Sequence, residues 1–163
     1  MSAPSIFLPT QFKIVTATKP VTTNGTVTFD NISMKNAVAV WLVAQFNQAA
    51  SHATVITPKL GAVVATVTTA ITFSADWWLN SDTDTTDTLV AQTAATTFTL
   101  ATGTTPQLVV ARFDPAQCYA QGATLDCIGA TIATSSQATN YVDALWFVEE
   151  KYPQATPPAA IID

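Results

Sequence analysis

The sequence predicts an all-β protein, an antiparallel β-sandwich or jelly roll of roughly eight to ten strands. Short segments such as Val27-Thr28-Phe29 alternate apolar residues with threonines, and this period of two is that of a strand with one buried face. Polar turns separate these segments, among them Asn24-Gly25 and residues 102–106. Hydrophobic residues make up 48% of the 163 residues, so the chain can bury a core.

The strands are assigned in chain order from this alternation. They cover residues 11–16, 26–34, 36–47, 53–57, 61–69, 89–91, 97–100, 107–113, 125–134 and 141–150. Residues 36–47 are nearly all apolar, which a buried helix also allows. Their β-branched and aromatic content favours a central strand covered on both faces, with Trp41 in the core. Trp146, on the last strand, is also predicted to be in the core. Residues 61–69 fit either a strand or part of a longer loop, and they are assigned to a strand.

Two prolines help to define the turns. Pro58 is expected to end the strand that begins at Ala53, and Pro20 opens a turn that continues to Gly25.

One domain is predicted over residues 11–152, with extended arms at residues 1–10 and 153–163. Three prolines in the C-terminal arm prevent it from extending a central strand and lower the entropy lost when it docks. The alternative for each arm is a frayed end with no partner. The candidate partner-contact residues are the apolar and proline residues Ile6, Phe7, Leu8, Pro157, Pro158, Ile161 and Ile162.

The sequence offers no catalytic, cofactor or metal site, and we expect a protein that is not an enzyme. His52 is the single histidine and is expected to face solvent in a loop. Five glycines form no phosphate-binding loop, and two cysteines with one histidine cannot complete a structural zinc site. Cys118 and Cys127 either form a disulfide or are buried free thiols, and free thiols are favoured.

The segment 76–87 holds a candidate exposed loop site. Its residues are Trp77, Trp78, Asp82, Asp84 and Asp87. The aspartates could bind calcium, although the spacing is not that of an EF-hand, and a solvated turn is the favoured interpretation. The tryptophans could stack on a sugar ring. If the segment is extended, one of them points outward and the other into the core.

The charge distribution argues against two classes of partner. Six basic residues are scattered among eleven acidic ones, which gives a net charge of −5. Nucleic acid and anionic membranes both require clustered Lys and Arg, so we expect contact with neither. The first eight residues lack the basic start and long apolar run of a signal peptide, so synthesis in a host cytoplasm is expected.

Five segments occur in an order that carries a family resemblance. An apolar strand ending in Gln at residues 38–45 precedes Asp76-Trp77-Trp78, and the sequence VVARFDP follows at 109–115. The alternating strand 125–134 with its Ser-Ser turn comes next, and the sequence EEKYP closes the domain at 149–153. This order resembles the capsid decoration (cement) proteins of tailed bacteriophages.

The resemblance implies a jelly-roll or sandwich domain that needs no cofactor. Such proteins form homodimers or homotrimers on the outside of the virion capsid, where they bind the major capsid protein and stabilise the shell through many weak contacts. Two alternatives stay open. One is a host- or carbohydrate-binding β-sandwich that uses the loop site, and the other is a tail-associated structural subunit.

Overall fold

The structure is a computed structural model that describes residues 8–152, and the two ends at 1–7 and 153–163 lie outside the described residues. Two antiparallel sheets pack against each other, which confirms the predicted all-β sandwich. Within residues 8–152 the strands are β1 Phe12–Thr22, β2 Val27–Thr28, β3 Ile32–Ser33, β4 Ala37–Gln48, β5 Thr54–Gly61, β6 Thr69–Ala70, β7 Asp76–Asn80, β8 Val90–Ala91, β9 Phe98–Leu100, β10 Gln107–Phe113, β11 Cys127–Ile132 and β12 Asn140–Glu150. Two short helices, α1 Leu8–Gln11 and α2 Pro115–Gln121, precede β1 and follow β10.

The larger sheet, called sheet A here, has the strand order β1-β12-β4-β10-β7-β8. Sheet B has the order β2-β11-β5-β6, with β3 also paired to β11 and β9 also paired to β5. The central strands of sheet A come from distant parts of the sequence, and they are β4, β10 and β12. Sheet A is therefore assembled from non-local pairings, as is usual in β-sandwiches.

The core lies between the inner faces of the two sheets. Alternate residues of β12 are buried from Asn140 to Glu150, which is the period of two expected for a strand with one inner face. Trp146 is fully buried, as predicted, and its Nε1 donates to the backbone oxygen of Asp30 at 2.8 Å. Its ring meets Phe113 edge-on, with 6.2 Å between centroids. The hydrogen bond from Trp146 thus ties sheet A to the segment between β2 and β3, while its ring packs against Phe113 within sheet A.

The prediction of one continuous strand over residues 26–34 is wrong. The structure has β2 and β3 instead, and both pair with β11. The register of β2 and that of β3 differ by one residue, so an extra residue bulges out between them. The side-chain amide of Asn31 donates to Val64 O at 2.8 Å and occupies the space beside Gly129. Only glycine leaves room for it there, because an added Cβ would overlap Asn31 Oδ1.

Three further boundaries differ from the sequence-based expectations. β5 does not end at Pro58, because Pro58 lies between the short strands β9 and β6 that pair along the same edge of β5. Residues 62–68 form a loop with an isolated bridge between Val63 and Thr66, not a strand. Pro20 belongs to β1, where the register shifts at Thr16–Thr18 and Thr18–Val21 accommodate it on an edge strand.

The first and last strands are joined by an ion pair on the inner side of sheet A. Lys13 Nζ lies 2.8 Å from Glu150 Oε1, and the Glu150 side chain is 2% exposed. A buried carboxylate without a partner would be strongly destabilising, so the lysine is a structural requirement of this edge.

Helix α2 was not predicted from the sequence, although Asp114-Pro115 contains the information. Asp114 is the N-cap, and its Oδ1 accepts from Ala116 N at 2.8 Å, while Pro115 occupies the first turn. Cys118 therefore lies in a helix, in a stretch where the sequence analysis assigned no element. Cys118 and Cys127 are both buried thiols that form no disulfide, as favoured by the sequence.

The environment of Cys118 makes stability depend on alkaline pH. Burial, with a smaller contribution from Asp114, raises the pKa of the Cys118 thiol from 9.0 to about 12. Between these values the thiol ionises in the unfolded chain but not in the folded one, so its contribution to stability is complete below pH 9 and falls as pH rises. From pH 8 to pH 10 we expect the free energy of unfolding to fall by about 1.4 kcal/mol more in the native chain than in Cys118→Ala.

Urea unfolding followed by circular dichroism at both pH values measures this difference. Cys127, the tyrosines and the lysines also titrate at alkaline pH, but both chains contain them. Because Cys118 stays protonated in the folded chain over this pH range, its effect on the pKa of Tyr119 is small and these contributions nearly cancel. Equal pH dependence of the two chains would contradict the prediction.

Candidate functional site

The outer face of sheet A, the side that points away from sheet B, is the candidate functional site. Register places side chains of five strands in two rows across it. The first row runs Ile14, Phe147, Trp41, Arg112 and Asp76 from β1 to β7. The second row runs Thr16, Leu145, Val43, Val110 and Trp78 across the same strands. Seven of these ten residues are apolar, and they form one continuous patch.

The patch is substantially open to solvent. Ile14 is 45% exposed and Leu145 is 36% exposed. Trp41, Val43, Trp78, Val110 and Phe147 are half-buried by their neighbours within the sheet. An extended apolar patch of this kind on a single chain marks a contact surface.

The outer face of sheet B gives an internal contrast. Its cross-strand neighbours are Thr28 with Thr131, Thr131 with Thr57, and Val55 with Thr99. Threonine methyls and hydroxyls suit a solvated sheet surface, so only one of the two outer faces is apolar enough to need a partner.

A shallow groove of about 350 Å³ crosses the centre of the outer face of sheet A. It is lined by Phe12, Trp41, Val43, Val110, Phe147 and Glu149. Phe12 on the edge strand β1 is the register partner of Glu149 on β12. The groove is therefore apolar along its floor and has one carboxylate, that of Glu149, at the end near β1. The lining suits apolar side chains of a partner better than a highly hydroxylated ligand.

Charged groups border the patch on the β7 side. The ring centroids of Trp41 and Trp78 are 5.9 Å apart with an interplanar angle of 33°. The guanidinium Cζ of Arg112 lies 5.8 Å from the Trp41 ring centroid, and Arg112 Nη1 is 3.9 Å from Asp76 Oδ2. Because the carboxylate is exposed and the contact is long, this ion pair contributes little to stability. The guanidinium therefore has donors to offer a partner.

The structure separates the two tryptophans of the predicted loop site, as strand alternation required. Trp77 is 1% exposed, stacks on Phe98 at 5.1 Å between centroids, and donates from Nε1 to Ala95 O at 3.0 Å. Trp78 points outward into the patch. Trp41 was predicted to be in the core, and this is wrong. It occupies the outer face of β4, because that strand is not covered on both sides.

The acidic residues of the loop serve its own backbone. Asp82 Oδ1 accepts from Asp84 N at 3.1 Å, and Asn80 Oδ1 accepts from Asp82 N at 3.0 Å. Asp84 and Asp87 are exposed. Within residues 8–152 no group of three or more acidic, histidine or cysteine side chains could hold a metal ion. The described loop is thus a set of side-chain-capped turns.

The predicted arm contacts fall largely outside the described residues. Leu8 begins α1 and is 45% exposed. Ile6, Phe7, Pro157, Pro158, Ile161 and Ile162 lie at residues 1–7 and 153–163, beyond the described range.

His52 is placed differently from the sequence-based expectation. His52 lies between β4 and β5 and is half-buried rather than fully solvent-facing, and its Nδ1 has no hydrogen-bond partner among the described residues. Across residues 8–152 no helix has the length and apolar character needed to span a membrane.

Sequence reasoning missed Val43, Val110 and Phe147 as surface residues because they occur in strands that are apolar at nearly every position. A more specific indication was present in the sequence. In residues 107–113 and 141–150 both alternating sets contain large apolar residues, whereas a strand with one solvated face has polar residues in one set. Sheet strands with two apolar faces need cover on both.

Fold and face together define a β-sandwich with one apolar contact surface. No protein-family model and no curated protein sequence matches the chain. Among solved structures, the chain is similar to the SPBc2 prophage-derived protein YomS, with 11% sequence identity and a TM-score of 0.47 over 84% of this chain and 91% of that chain. A likeness at this level supports no transfer of function, so the function proposed below rests on the residues of this chain.

Proposed function

We propose that the chain is a non-enzymatic structural protein of a phage virion, a decoration protein that binds the outside of the major capsid shell and stabilises it. The observation that carries the proposal is the apolar outer face of sheet A, which belongs to a rigid central sheet and is unpaired in the single chain. A rigid scaffold with a large contact surface fits a protein that works by bridging neighbours.

Two features of the chain support a structural role over catalysis. Nucleophile, base and acid side chains are not gathered in the groove, which carries Glu149 as its one ionisable residue. The thiol of Cys118 has a pKa of about 12 and is buried, which suppresses the thiolate a nucleophile requires.

The groove chemistry also favours a protein partner over a sugar. Trp78 is outward-facing, as a stacking platform would need, but the face of the neighbouring Trp41 ring is approached by Arg112. Sugar recognition needs several polar groups around the ring to bind its hydroxyls. Val43, Val110 and Phe147 surround the tryptophans instead. The carbohydrate-binding alternative therefore has an aromatic surface but too few hydrogen-bonding partners.

The test is binding to empty shells assembled from the major capsid protein of the same phage. We expect the chain to co-sediment with these shells and to raise their thermal disruption temperature. Deletion of residues 153–163 is expected to lower occupancy at least about tenfold, because an arm that docks on a neighbour adds a linked contact.

A second variant, Val63→Lys, changes a 48% exposed loop residue that is remote from the arms in sequence, and it should leave shell occupancy unchanged. Failure of the intact chain to bind shells would overturn the proposal. Assembly into rings or tubes without shell binding would favour the tail-associated alternative. Unchanged occupancy after the deletion would remove the C-terminal arm from the contact.

A further inference from the structure

The outer face of sheet A needs a specific occupant, and the arrangement of its charges indicates which one. We propose that this face packs against the same face of a second copy of the chain, related by a two-fold axis that passes close to Val43. The inference deepens the proposed function by naming the neighbour that this face contacts: it joins two decoration subunits to each other, and other parts of the dimer, such as the arms, would contact the shell. The dimer would form without the shell.

Val43 lies at the centre of the face by register. It pairs with Leu145 of β12 on one side and with Val110 of β10 on the other. Asp143 is two residues from Leu145, and Arg112 is two residues from Val110. Register places them in opposite directions along the strands, since Asp143 aligns with Gln45 and Arg112 aligns with Trp41. The carboxylate of Asp143 and the guanidinium of Arg112 thus lie on opposite sides of Val43, each one strand and two residues away from it.

This placement is self-complementary. A two-fold axis near Val43 brings Arg112 of each copy onto Asp143 of the other, so two ion pairs form at once. Asp143 has no ion-pair partner among residues 8–152, and Arg112 has only the long contact to Asp76. Both charges are therefore available to a second copy, at the border of an apolar centre where such pairs set orientation.

The size of the face suits a dimer at the lower end of stable interfaces. Five strands about 4.8 Å apart and three rows about 6.8 Å apart give roughly 500 Å² on each copy. Two copies would bury roughly 1,000 Å², which is the lower limit for a specific interface. A third row holds Asp143, Gln45 and Leu108, and its first two members make this border of the face polar.

Packing of this kind is sheet on sheet. The side chains of two apolar sheet faces interdigitate when the sheets lie about 10 Å apart. An axis that superposes Arg112 on Asp143 of the second copy runs obliquely to the strands. The strands of the two copies then cross steeply, which is closer to orthogonal than to aligned packing. Trp41 and Trp78 supply the large aromatic contacts beside this centre, and aromatic residues are enriched in such interfaces.

The experiment is the solution mass of the full chain over a range of concentrations, measured by sedimentation equilibrium without shells. We expect a reversible dimer of about twice 17.2 kDa. Val43→Lys is expected to raise the dimer dissociation constant at least about 100-fold, because two lysines would face each other at the axis. Val63→Lys is the matched control and should leave dimerisation unchanged. Thermal unfolding of both variants shows whether each one folds.

A charge exchange tests the orientation separately. Asp143→Lys should weaken the dimer at least about tenfold, because it places a positive charge against Arg112 of the other copy. Adding Arg112→Glu to this variant should restore most of the affinity, because the two charges are then exchanged. These surface changes keep the core intact, so the test stands even if Val43→Lys fails to fold.

The outcomes separate this inference from the proposed function. A monomer at about 100 µM overturns it, as does a closed trimer or a dimer that tolerates both Val43→Lys and Asp143→Lys. If the chain is a monomer that binds shells, and if Val43→Lys abolishes this binding, the dimer inference is also wrong, because the face then contacts the shell. A dimer that ignores shells supports the inference and overturns the decoration function alone.

Discussion

Replacing Trp77 by Ala is expected to lower the free energy of unfolding by about 3–5 kcal/mol, because it empties a large buried site between the sheets. The ring stacks on Phe98 and meets Phe113 edge-on at 6.1 Å between centroids. The substitution also removes the hydrogen bond from Nε1 to Ala95 O. The total free energy of unfolding of a single domain is about 5–15 kcal/mol, so this change alone brings the chain close to unfolding. Urea unfolding followed by far-ultraviolet circular dichroism measures the loss.

The adjacent Trp78 is the matched control. It has the same side chain on the same strand but faces outward. Trp78→Ala should therefore lower the free energy of unfolding of the monomer by no more than about 1.5 kcal/mol. If the two substitutions cost the same, the assignment of Trp77 to the core and Trp78 to the outer face would be wrong.

Gly61→Ala is expected to cost about 2–3 kcal/mol through overpacking. A Cβ at Gly61 would overlap the backbone oxygen of Thr66 and lie 2.9 Å from Val67 Cα. These are backbone atoms of the loop at 62–68, which turns back through the hydrogen bond from Thr66 N to Val63 O. A flexible side chain could move aside, but this loop must shift as a unit. Thermal unfolding of the purified variant measures the cost.

Gly25→Ala tests the same chemical change where space is open. No atom lies within 4 Å of a Cβ at Gly25. The variant should be neutral or more stable by up to about 1 kcal/mol, because alanine restricts the unfolded chain. Equal destabilisation by the two variants would contradict the packing described around Gly61.

The fold class followed from the sequence because strand alternation is a local property. The run at 107–113 coincides with β10, and the last predicted strand, at 141–150, differs from β12 by one residue. The bulge between β2 and β3 did not follow, since it depends on Asn31 meeting Gly129 and Val64, which are remote in sequence. Helix α2 was missed although its cap is local, because no element was assigned to the residues between 113 and 125.

The candidate site was predicted less well than the fold. Alternation correctly required Trp77 and Trp78 to face opposite ways, yet it could not say which residues of other strands would lie beside Trp78. That depends on strand order and register, and both are properties of the folded sheet. The acidic loop attracted attention by composition, but its carboxylates at Asp82 and neighbouring residues are used in turns or exposed to solvent.

The position of β12 between β1 and β4 has a consequence for how the chain folds during synthesis. The partner strands of β12 are complete more than 90 residues before β12 itself begins. Until it is made, β1 lacks its one neighbour in sheet A, and β4 has an unpaired edge. Unpaired edges invite association with other chains, and pairings this distant in sequence form slowly. Nascent chains should therefore need protection until the final strand joins β1 to the rest of sheet A.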